Sequence, residues 1–311
     1  MADIELKLLN DAAREPQALI DSAEAAYHKR IGEIADLIVA KKDLRAVLLA
    51  GPSGSGKTTT ANLRCDAIKA RGEESCVLSL DDFYRDATDT AYPRTKEGER
   101  DFECPEALNL PDLQKTLENI TNGAEFMMPK YDFKVGGRVE EKLHPASPDG
   151  CVIIEGLHAL NPKISENLPK DKIMKLFVSV STNIVENGER ILSGRKLLFA
   201  RRLVRDSIYR AADAQRTLSM WENVLEGEDK YLYPYKYTAD IAFDTFHGFE
   251  PGILRNKALS LLEVDAVKDN EYSLIVKNAL RAVTPIDDEP VPKDSLLREF
   301  IAGGIYHNIY K

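Results

Sequence analysis

The 311-residue sequence is 43% hydrophobic and 30% charged, with a formal net charge of −9 and an isoelectric point near 5.3. This composition is typical of a globular protein with a sizeable core, and its acidic balance argues against a nucleic-acid-binding protein, which would usually present a basic face. The four cysteines are widely spaced, and the sequence shows neither a signal sequence nor an apolar run of membrane-spanning length, so we expect a cytoplasmic protein with reduced thiols and no membrane partner.

The first 44 residues carry a helical pattern of apolar side chains. From Pro16 to Lys42, apolar residues recur at the three- and four-residue spacing of an amphipathic helix. We predict one or two helices that pack against the rest of the chain or against a partner subunit. We treat residues 1–44 as an N-terminal helical extension, whose apolar surface makes a homo-oligomer one expected form of the protein.

A glycine-rich loop follows the first buried strand, Ala46–Ala50. Residues 51–58 read GPSGSGKT and fit G-x4-G-K-[ST], a pattern in which backbone N–H groups surround phosphates and glycines allow close approach. Lys57 would reach the outer phosphates, and Thr58 would offer its hydroxyl to Mg2+. The sequence therefore predicts a nucleoside triphosphate, taken as ATP, and Mg2+ as cofactors. The expected cofactor-binding residues of the loop are Gly51, Ser53, Gly54, Ser55, Gly56, Lys57, Thr58 and Thr59.

Further short apolar runs predict a parallel sheet. The strands expected after the first are Cys76–Leu80, Cys151–Gly156, Met174–Val180 and Ala239–Phe243. Helical segments separate them, as in parallel sheets with helices on both faces. We expect an α/β fold of the P-loop NTPase class, with about five parallel strands flanked by helices, over residues 45–245.

The remaining segments are predicted as loops and helices. Residues 85–110 are polar and aperiodic, which indicates a long substrate-facing loop. An extended segment and a turn are expected at 126–133 and 135–138. The predicted helices cover 111–121, an arginine-rich stretch at 191–224, 250–264 and 295–303, with a linker at 284–292. Residues 270–283 are expected to form a further helix or a helix–strand piece. Residues 246–311 would form a C-terminal helical extension packed on the central domain.

Two acids end predicted strands beside the glycine-rich loop, Asp81 and Glu155. The carboxyl ends of parallel strands meet at one edge of the sheet, where ligands bind. Thr58, Asp81 and Glu155 could together supply an oxygen-rich Mg2+ site, and a carboxylate there can also accept the proton of an acceptor hydroxyl. A strand-end acid on a solvated rim is the alternative for either carboxylate.

An arginine cluster lies in the predicted helix at 191–224. Arg201, Arg202 and Arg205 share one sector of a helix, because residues three and four apart are neighbours. Arginine side chains match phosphate oxygens bidentately, so the cluster is expected to close over the triphosphate. A solvated helix face with Asp206 as the ion-pair partner is the alternative.

Several motifs occur in an order that resembles one family of kinases. They are GPSGSGKTT, LDDFYR at 80–85, FECPEAL at 102–108, YDF at 131–133, IEG at 154–156, and the Arg202/Arg205 pair. On these residues the chain is similar to the uridine kinase and phosphoribulokinase group of P-loop kinases. The strongest likeness is to the uridine-cytidine kinases and to longer bacterial nucleoside kinases related to them. The resemblance implies a kinase that transfers the γ-phosphoryl of ATP to a nucleoside 5′-hydroxyl, with uridine or cytidine as the first candidates.

The resemblance also implies roles for individual residues. Asp81 would orient the 5′-hydroxyl and would be catalytic together with Lys57, Arg202 and Arg205, and the lid arginines Arg205 and Arg210 would also bind the nucleotide. The expected substrate-binding residues are Asp81, Tyr84, Phe102, Glu103, Tyr131, Phe133, Arg138 and Arg202. For Phe102, Tyr131 and Phe133, ordinary core packing is the alternative.

Two positions depart from the family pattern. Uridine-cytidine kinases carry a base-reading histidine where this chain has Gly136, and they carry a lid arginine where it has Ala212. A missing hydrogen bond at the base weakens discrimination between acceptors. A sugar or sugar phosphate is therefore the second expected acceptor class. An ATP-binding regulator or GTPase-type switch without transfer activity is the third possibility, although the guanine-reading N-K-x-D motif is absent.

Overall fold

The computed structural model describes residues 2–96, 98–147 and 149–306. Its strands are β1 (Asp3–Glu5), β2 (Ala46–Ala50), β3 (Ser75–Ser79), β4 (Phe126–Asp132), β5 (Gly137–His144), β6 (Cys151–Glu155), β7 (Ile173–Ser179), β8 (Asn183–Glu186), β9 (Glu189–Leu192) and β10 (Ile241–Asp244). Its helices are α1 (Leu6–Ala12), α2 (Pro16–Val39), α3 (Lys57–Lys69), α4 (Leu110–Thr121), α5 (Pro162–Ser165), α6 (Gly194–Tyr209), α7 (Ala214–Tyr231), α8 (Glu250–Leu262), α9 (Glu271–Ala282) and α10 (Arg298–Ile301). Short 3-10 helices cover Leu80–Phe83, Pro105–Ala107 and Tyr233–Thr238.

Five strands form a parallel sheet in the order β10-β7-β2-β6-β3. The central strand, β2, is buried along its whole length. Its side chains alternate between two cores, because successive residues of a strand point to opposite faces. Leu48 lies in one core, and Val47 and Leu49 lie in the other. The predicted α/β fold is confirmed, and the ends of the predicted strands are shifted by at most two residues.

Helices cover both faces of this sheet. On one face, α2 and α3 contribute buried apolar side chains such as Ile34 and Ile68. On the other face, α4 and α5 contribute Leu113, Leu117 and Ile164. The sandwich leaves the carboxyl edge of the sheet open to the segments that follow β2, β3 and β6, and the candidate site lies there.

The N-terminal segment packs on its own chain. The predicted helical pattern corresponds to α1 and α2, and the apolar stripe of α2 is buried, including Tyr27, Ile31 and Ile38. The stripe is therefore covered within the subunit, and it gives no support to the expected homo-oligomer. The sequence analysis missed β1, which pairs in parallel with β8, while β8 and β9 form an antiparallel hairpin.

The arginine-rich stretch, predicted to be helical over 191–224, consists of two helices, α6 and α7. Ser193 caps α6, and its side chain accepts a hydrogen bond from the Lys196 amide. After α6, Ala211 adopts a positive φ of 47°, which a helix does not tolerate. Asp213 then caps α7 by accepting from the Arg216 amide.

The extended segment predicted at 126–133 is the first strand of a hairpin. β4 pairs antiparallel with β5, which the sequence analysis did not predict. The residues of β5 are mostly charged and exposed, so the strand lacks the alternating apolar signal that sequence reading depends on. The hairpin extends from the sheet edge near the 3-10 helix that follows β3.

The C-terminal helices, α8 and α9, share a core with α6 and α7, the helices of the arginine-rich stretch. Buried side chains of α6, α7, α8 and α9 form one cluster, which also includes Leu296, Leu297 and Phe300. The division of the chain at residues 44 and 245 stays a prediction. In the part of the chain that is described, no helix has both the length and the apolar character needed to span a bilayer.

Candidate functional site

The glycine-rich loop forms a backbone cradle at the carboxyl end of β2. Gly54 and Gly56 both have φ of +79°, a conformation that other residues rarely adopt. A side chain on Gly51 would overlap the carbonyl of Val178, so the loop lies directly on β7. The loop leads into the N-terminus of α3. There, the first amides of the helix have no acceptor within the helix, and together with the helix dipole they favour an anion. This geometry fits the predicted phosphate-binding role of the loop.

The charged and hydroxyl side chains at the end of the loop face its interior. The Lys57 ammonium donates a hydrogen bond to the carbonyl of Pro52 at 3.0 Å, which holds the positive charge over the loop. The Thr58 hydroxyl donates to Glu155 Oε1 at 3.5 Å. The structure thus brings Lys57 and Thr58 together at the end of the loop, and their contacts with a phosphate and with Mg2+ stay a prediction.

Asp81 and Glu155 lie together at the carboxyl edge of the sheet. Glu155 ends β6, and its Oε1 accepts a hydrogen bond from the Ser79 hydroxyl at 2.7 Å. The Ser79 side chain also caps the 3-10 turn that carries Asp81, accepting from its amide at 3.3 Å. Burial, reinforced by the charge of Asp81, raises the pKa of Glu155 to about 7. The structure brings together the three predicted metal-binding residues, Thr58, Asp81 and Glu155.

These oxygens suit Mg2+ only in combination with other ligands. No group of three or more His, Cys, Asp or Glu side chains able to hold a metal occurs among the described residues. Mg2+ prefers a few protein oxygens together with waters and substrate phosphates. The donor set of Thr58, Asp81 and Glu155 therefore fits a metal that arrives with a nucleotide.

The adjacent acid, Asp82, has a different environment. Its Oδ1 accepts a hydrogen bond from the Tyr131 amide at 3.1 Å and pairs with the Lys130 ammonium at 3.2 Å. These contacts tie the start of the 3-10 turn to the β4-β5 hairpin. The two neighbouring carboxylates are therefore separated, with Asp81 exposed at the site and Asp82 engaged by the hairpin.

The lid arginines converge on one acid of α6. The Asp206 carboxylate pairs with Arg202 at 3.2 Å, with Arg205 at 2.8 Å and with Arg210 at 3.6 Å. Although burial alone would raise it, these three positive charges lower the pKa of Asp206 below its usual value. Arg202 also donates to the Ser53 hydroxyl of the phosphate loop at 2.9 Å. The lid is thus linked to the loop through a predicted catalytic arginine.

Arg201 fits neither expectation for the cluster, because it faces the interior. Its side chain is fully buried and forms a bidentate ion pair with Glu250, with nitrogen–oxygen distances of 2.7 and 2.6 Å. Nη1 donates to the carbonyl of Gly54 at 3.1 Å, and Nη2 donates to that of Thr245 at 2.7 Å. Arg201 therefore joins the phosphate loop to the ends of β10 and α8.

Glu228 is a site residue that sequence reasoning missed. This residue of α7 is fully buried, and its Oε1 accepts a hydrogen bond from the Ser53 amide of the phosphate loop at 2.8 Å. Burial raises the pKa of Glu228 to about 7. The preceding residue, Gly227, packs against Glu103, because a side chain at Gly227 would overlap it. This contact joins distant segments and could not be read from the sequence.

The four aromatic residues predicted to bind the substrate form one cluster. The Tyr84 ring lies 5.6 Å from Phe102, 5.9 Å from Tyr131 and 5.5 Å from Phe133, measured between ring centroids. Phe133 is 56% exposed as a whole residue, so one side of the cluster is open to solvent. The cluster therefore combines a buried tyrosine, Tyr131, with an exposed phenylalanine, Phe133.

Glu103 lies between the aromatic cluster and the lid. Burial raises the pKa of Glu103 to about 7, while the charge of Arg202 acts in the opposite direction. Two further residues of the long loop extend the cluster and were not predicted. Tyr92 stacks edge-on against Phe102 with centroids 5.6 Å apart, and the Arg100 guanidinium lies 5.5 Å from the Phe102 centroid.

Two residues near the turn between β4 and β5, Arg138 and Gly136, have surroundings different from those of the aromatic cluster. The Arg138 guanidinium pairs with Asp112 at 2.8 Å and with Glu141 at 2.9 Å, so acids of α4 and of the hairpin itself hold it. Gly136 has a φ of +74°, and a side chain there would lie 2.7 Å from the Cβ of Ala87. The backbone conformation and the contact with Ala87 therefore both favour glycine at this position.

Comparison with known proteins agrees with this geometry. The model of the Phosphoribulokinase / Uridine kinase family matches residues 47–248, well over half of the chain. The chain belongs to this family. The resemblance seen in the sequence is thereby confirmed, and so is the prediction of a phosphotransferase class that acts on an alcohol group.

Curated members of the family are similar over the central part of the chain. A uridine kinase from Saccharomyces cerevisiae is 28% identical over 227 residues, which is 72% of this chain and 41% of the yeast protein. Uridine kinase-like protein 5 from Arabidopsis thaliana is 27% identical over 195 residues, covering 62% and 37% of the two chains. A uridine kinase from Deinococcus deserti is 28% identical over 194 residues, covering 62% and 84%. The chain thus spans less than half the length of the eukaryotic relatives.

Among solved structures, a possible uridine kinase from Bacillus stearothermophilus is similar with a TM-score of 0.49 and 18% identity, covering 70% of this chain and all of the other. A D-glycerate 3-kinase from Cryptococcus neoformans has a TM-score of 0.38 and 15% identity, covering 88% of each chain.

Proposed function

We propose that the protein is a Mg2+- and ATP-dependent kinase that phosphorylates the 5′-hydroxyl of a nucleoside, with uridine and cytidine as the first candidates. One observation carries the proposal, namely the hydrogen-bonded series from Thr58 through Glu155 and Ser79 to the turn of Asp81. The series connects the phosphate loop to a carboxylate, and the aromatic cluster begins at Tyr84, three residues further on.

In the proposed reaction, the acceptor oxygen forms a bond to the γ-phosphorus while the bond to the β-phosphate oxygen breaks. Asp81 orients the acceptor hydroxyl and takes its proton. Lys57 and the loop amides stabilise charge on the phosphates, and Arg202 and Arg205 act from the lid. Mg2+, held by Thr58 with Asp81 and Glu155, would neutralise phosphate charge when bound.

The nucleoside would occupy the space beside the aromatic cluster. Tyr131 and Phe133 can stack on a base, and Glu103 can accept a hydrogen bond from a sugar hydroxyl. Exclusion of water by the lid would favour transfer to the acceptor over hydrolysis. We place this reaction in the cytoplasm, as the sequence predicts.

A sugar or sugar phosphate is the second candidate acceptor, and Gly136 favours it. With a glycine at the base-reading position, no side chain there can select a pyrimidine. Measuring ADP release with a panel of nucleosides, sugars and sugar phosphates distinguishes the two classes. Nucleotide hydrolysis that is independent of any acceptor would instead favour a regulator without transfer activity.

Neighbouring acids provide a matched test of the mechanism. Asp81→Asn should lower kcat by about a hundredfold or more, because a positioned general base contributes at least that much, while ATP binding is nearly unchanged. Asp82→Asn makes the same chemical change but keeps an acceptor for the Tyr131 amide, so kcat should change by only a few-fold. Equal turnover in Asp81→Asn and the unmodified protein would mean that the acceptor is activated by another residue.

A further inference from the structure

The C-terminal segment, residues 293–306, places a carboxylate on the phosphate loop. Glu299 of α10 accepts a hydrogen bond from the Thr59 amide at 3.2 Å and another from the Thr59 hydroxyl at 2.8 Å, both through Oε2. Thr59 is the third residue of α3, so its amide has no partner within the helix. Thr59 is among the residues predicted to bind the nucleotide.

The carboxylate is held in place by a well-packed segment. Leu296, Leu297 and Phe300 are fully buried, and the Arg201 guanidinium lies 5.1 Å from the Phe300 centroid. A side chain on Gly56 of the phosphate loop would overlap Leu296, which shows how closely the segment approaches the loop.

Polar contacts from Tyr306 and Arg298 anchor the segment to the rest of the chain. The Tyr306 hydroxyl donates to Asp66 of α3 at 2.7 Å. The Arg298 guanidinium donates to the carbonyl of Val291 at 2.6 Å and to that of Asp288 at 3.0 Å. The position of Glu299 is therefore determined by the fold of the segment and does not depend on its own two hydrogen bonds.

We propose that the C-terminal segment is an autoinhibitory element, in which Glu299 and a phosphate of ATP compete for the Thr59 amide and hydroxyl. The inference rests on the proposed function, because it requires ATP at this loop. A carboxylate and a phosphate are both acceptors and both negative, so they cannot share these donors at the N-terminus of α3. Nucleotide binding must therefore displace the Glu299 carboxylate from Thr59, which removes this contact between α10 and the start of α3.

The competition can be measured through nucleotide affinity. Glu299→Gln removes the charge and weakens the hydrogen bonds, and a charged hydrogen bond contributes more than about 1.4 kcal/mol, which corresponds to tenfold in affinity. We therefore expect the dissociation constant for magnesium AMP-PNP, measured by titration calorimetry on the full chain, to fall about tenfold. Glu222→Gln makes the same charge change at an exposed position of α7 and should leave the constant unchanged.

Hydrogen exchange on the unmodified chain gives a second test that needs no variant. Magnesium AMP-PNP should increase amide exchange in residues 295–301, because this segment loses the hydrogen bonds of Glu299 to Thr59. Unchanged or increased protection there, or equal affinity in Glu299→Gln and the unmodified chain, would overturn the autoinhibitory role while leaving the proposed kinase function intact. Failure of both proteins to bind the nucleotide would overturn the kinase function as well.

Discussion

The buried ion pair between Arg201 and Glu250 provides a quantitative test of how the phosphate loop is supported. Both side chains are fully buried, and their nitrogen–oxygen distances are 2.7 and 2.6 Å. Glu250→Gln keeps the size of the side chain but leaves the arginine charge unpaired. Breaking a buried pair by changing one partner costs roughly 3–5 kcal/mol. Because glutamine retains one acceptor oxygen, we expect a loss of about 3 kcal/mol in the free energy of unfolding.

An exposed pair supplies the matched control. Glu33 pairs with Arg30 at 3.2 Å, and the two side chains are 47% and 44% exposed. Glu33→Gln makes the same substitution beside the same partner type, and it should change stability by at most about 0.5 kcal/mol. Urea unfolding of the three proteins at one pH measures both values.

The same variant should also affect nucleotide binding. Arg201 donates to the Gly54 carbonyl, so a displaced guanidinium would loosen the phosphate loop and weaken ATP binding several-fold. A stability loss below about 1 kcal/mol in Glu250→Gln, or a loss equal to that in Glu33→Gln, would refute the structural role assigned to the pair.

Two further predictions concern the hairpin turn and a buried acid. Gly136→His should destabilise the protein by about 1–3 kcal/mol without improving turnover of uridine, because the positive φ and the overlap with Ala87 both oppose a side chain. Gly72→His, where φ is +84° and no atom lies within 4 Å, should show only the backbone cost, and equal losses would contradict the steric argument. Burial raises the pKa of Glu24 to about 7 from 4.5, so its contribution to stability is complete below pH 4.5 and is lost as the pH rises to about 7. Denaturant unfolding across that range should show a shallower decline for Glu24→Gln than for the unmodified chain, and parallel curves would mean that Glu24 is ionised throughout.

The parts of the site that were predictable lie on continuous stretches of sequence. The phosphate loop is a local motif whose residue types are required by backbone conformation, as the φ of +79° at Gly56 shows. Asp81 and Glu155 were identifiable because each lies at the carboxyl end of a short apolar run, and parallel strands bring such ends to one edge. The partner that links them, Ser79, was not identified because a serine at a strand end has no distinctive signal.

The parts that were missed depend on contacts between distant segments. Glu228 and Glu299 lie 175 and 240 residues from the loop residues that donate to them. Glu228 occurs in a helix that contains other acids, and Glu299 occurs in a helix of only four residues, so charge patterns alone identify neither of them. Likewise, β5 is a strand because it pairs with β4, and its own mostly exposed residues do not indicate this.

Direct detection of the phosphorylated product is the measurement closest to the central claim. In 31P NMR spectra of the full chain with magnesium ATP and uridine, the γ-phosphoryl should appear as a 5′-phosphate ester, and Asp81→Asn should remove that signal. Release of the same phosphoryl only as inorganic phosphate, with each nucleoside and each sugar tried, would contradict the assignment of this site to transfer onto an alcohol.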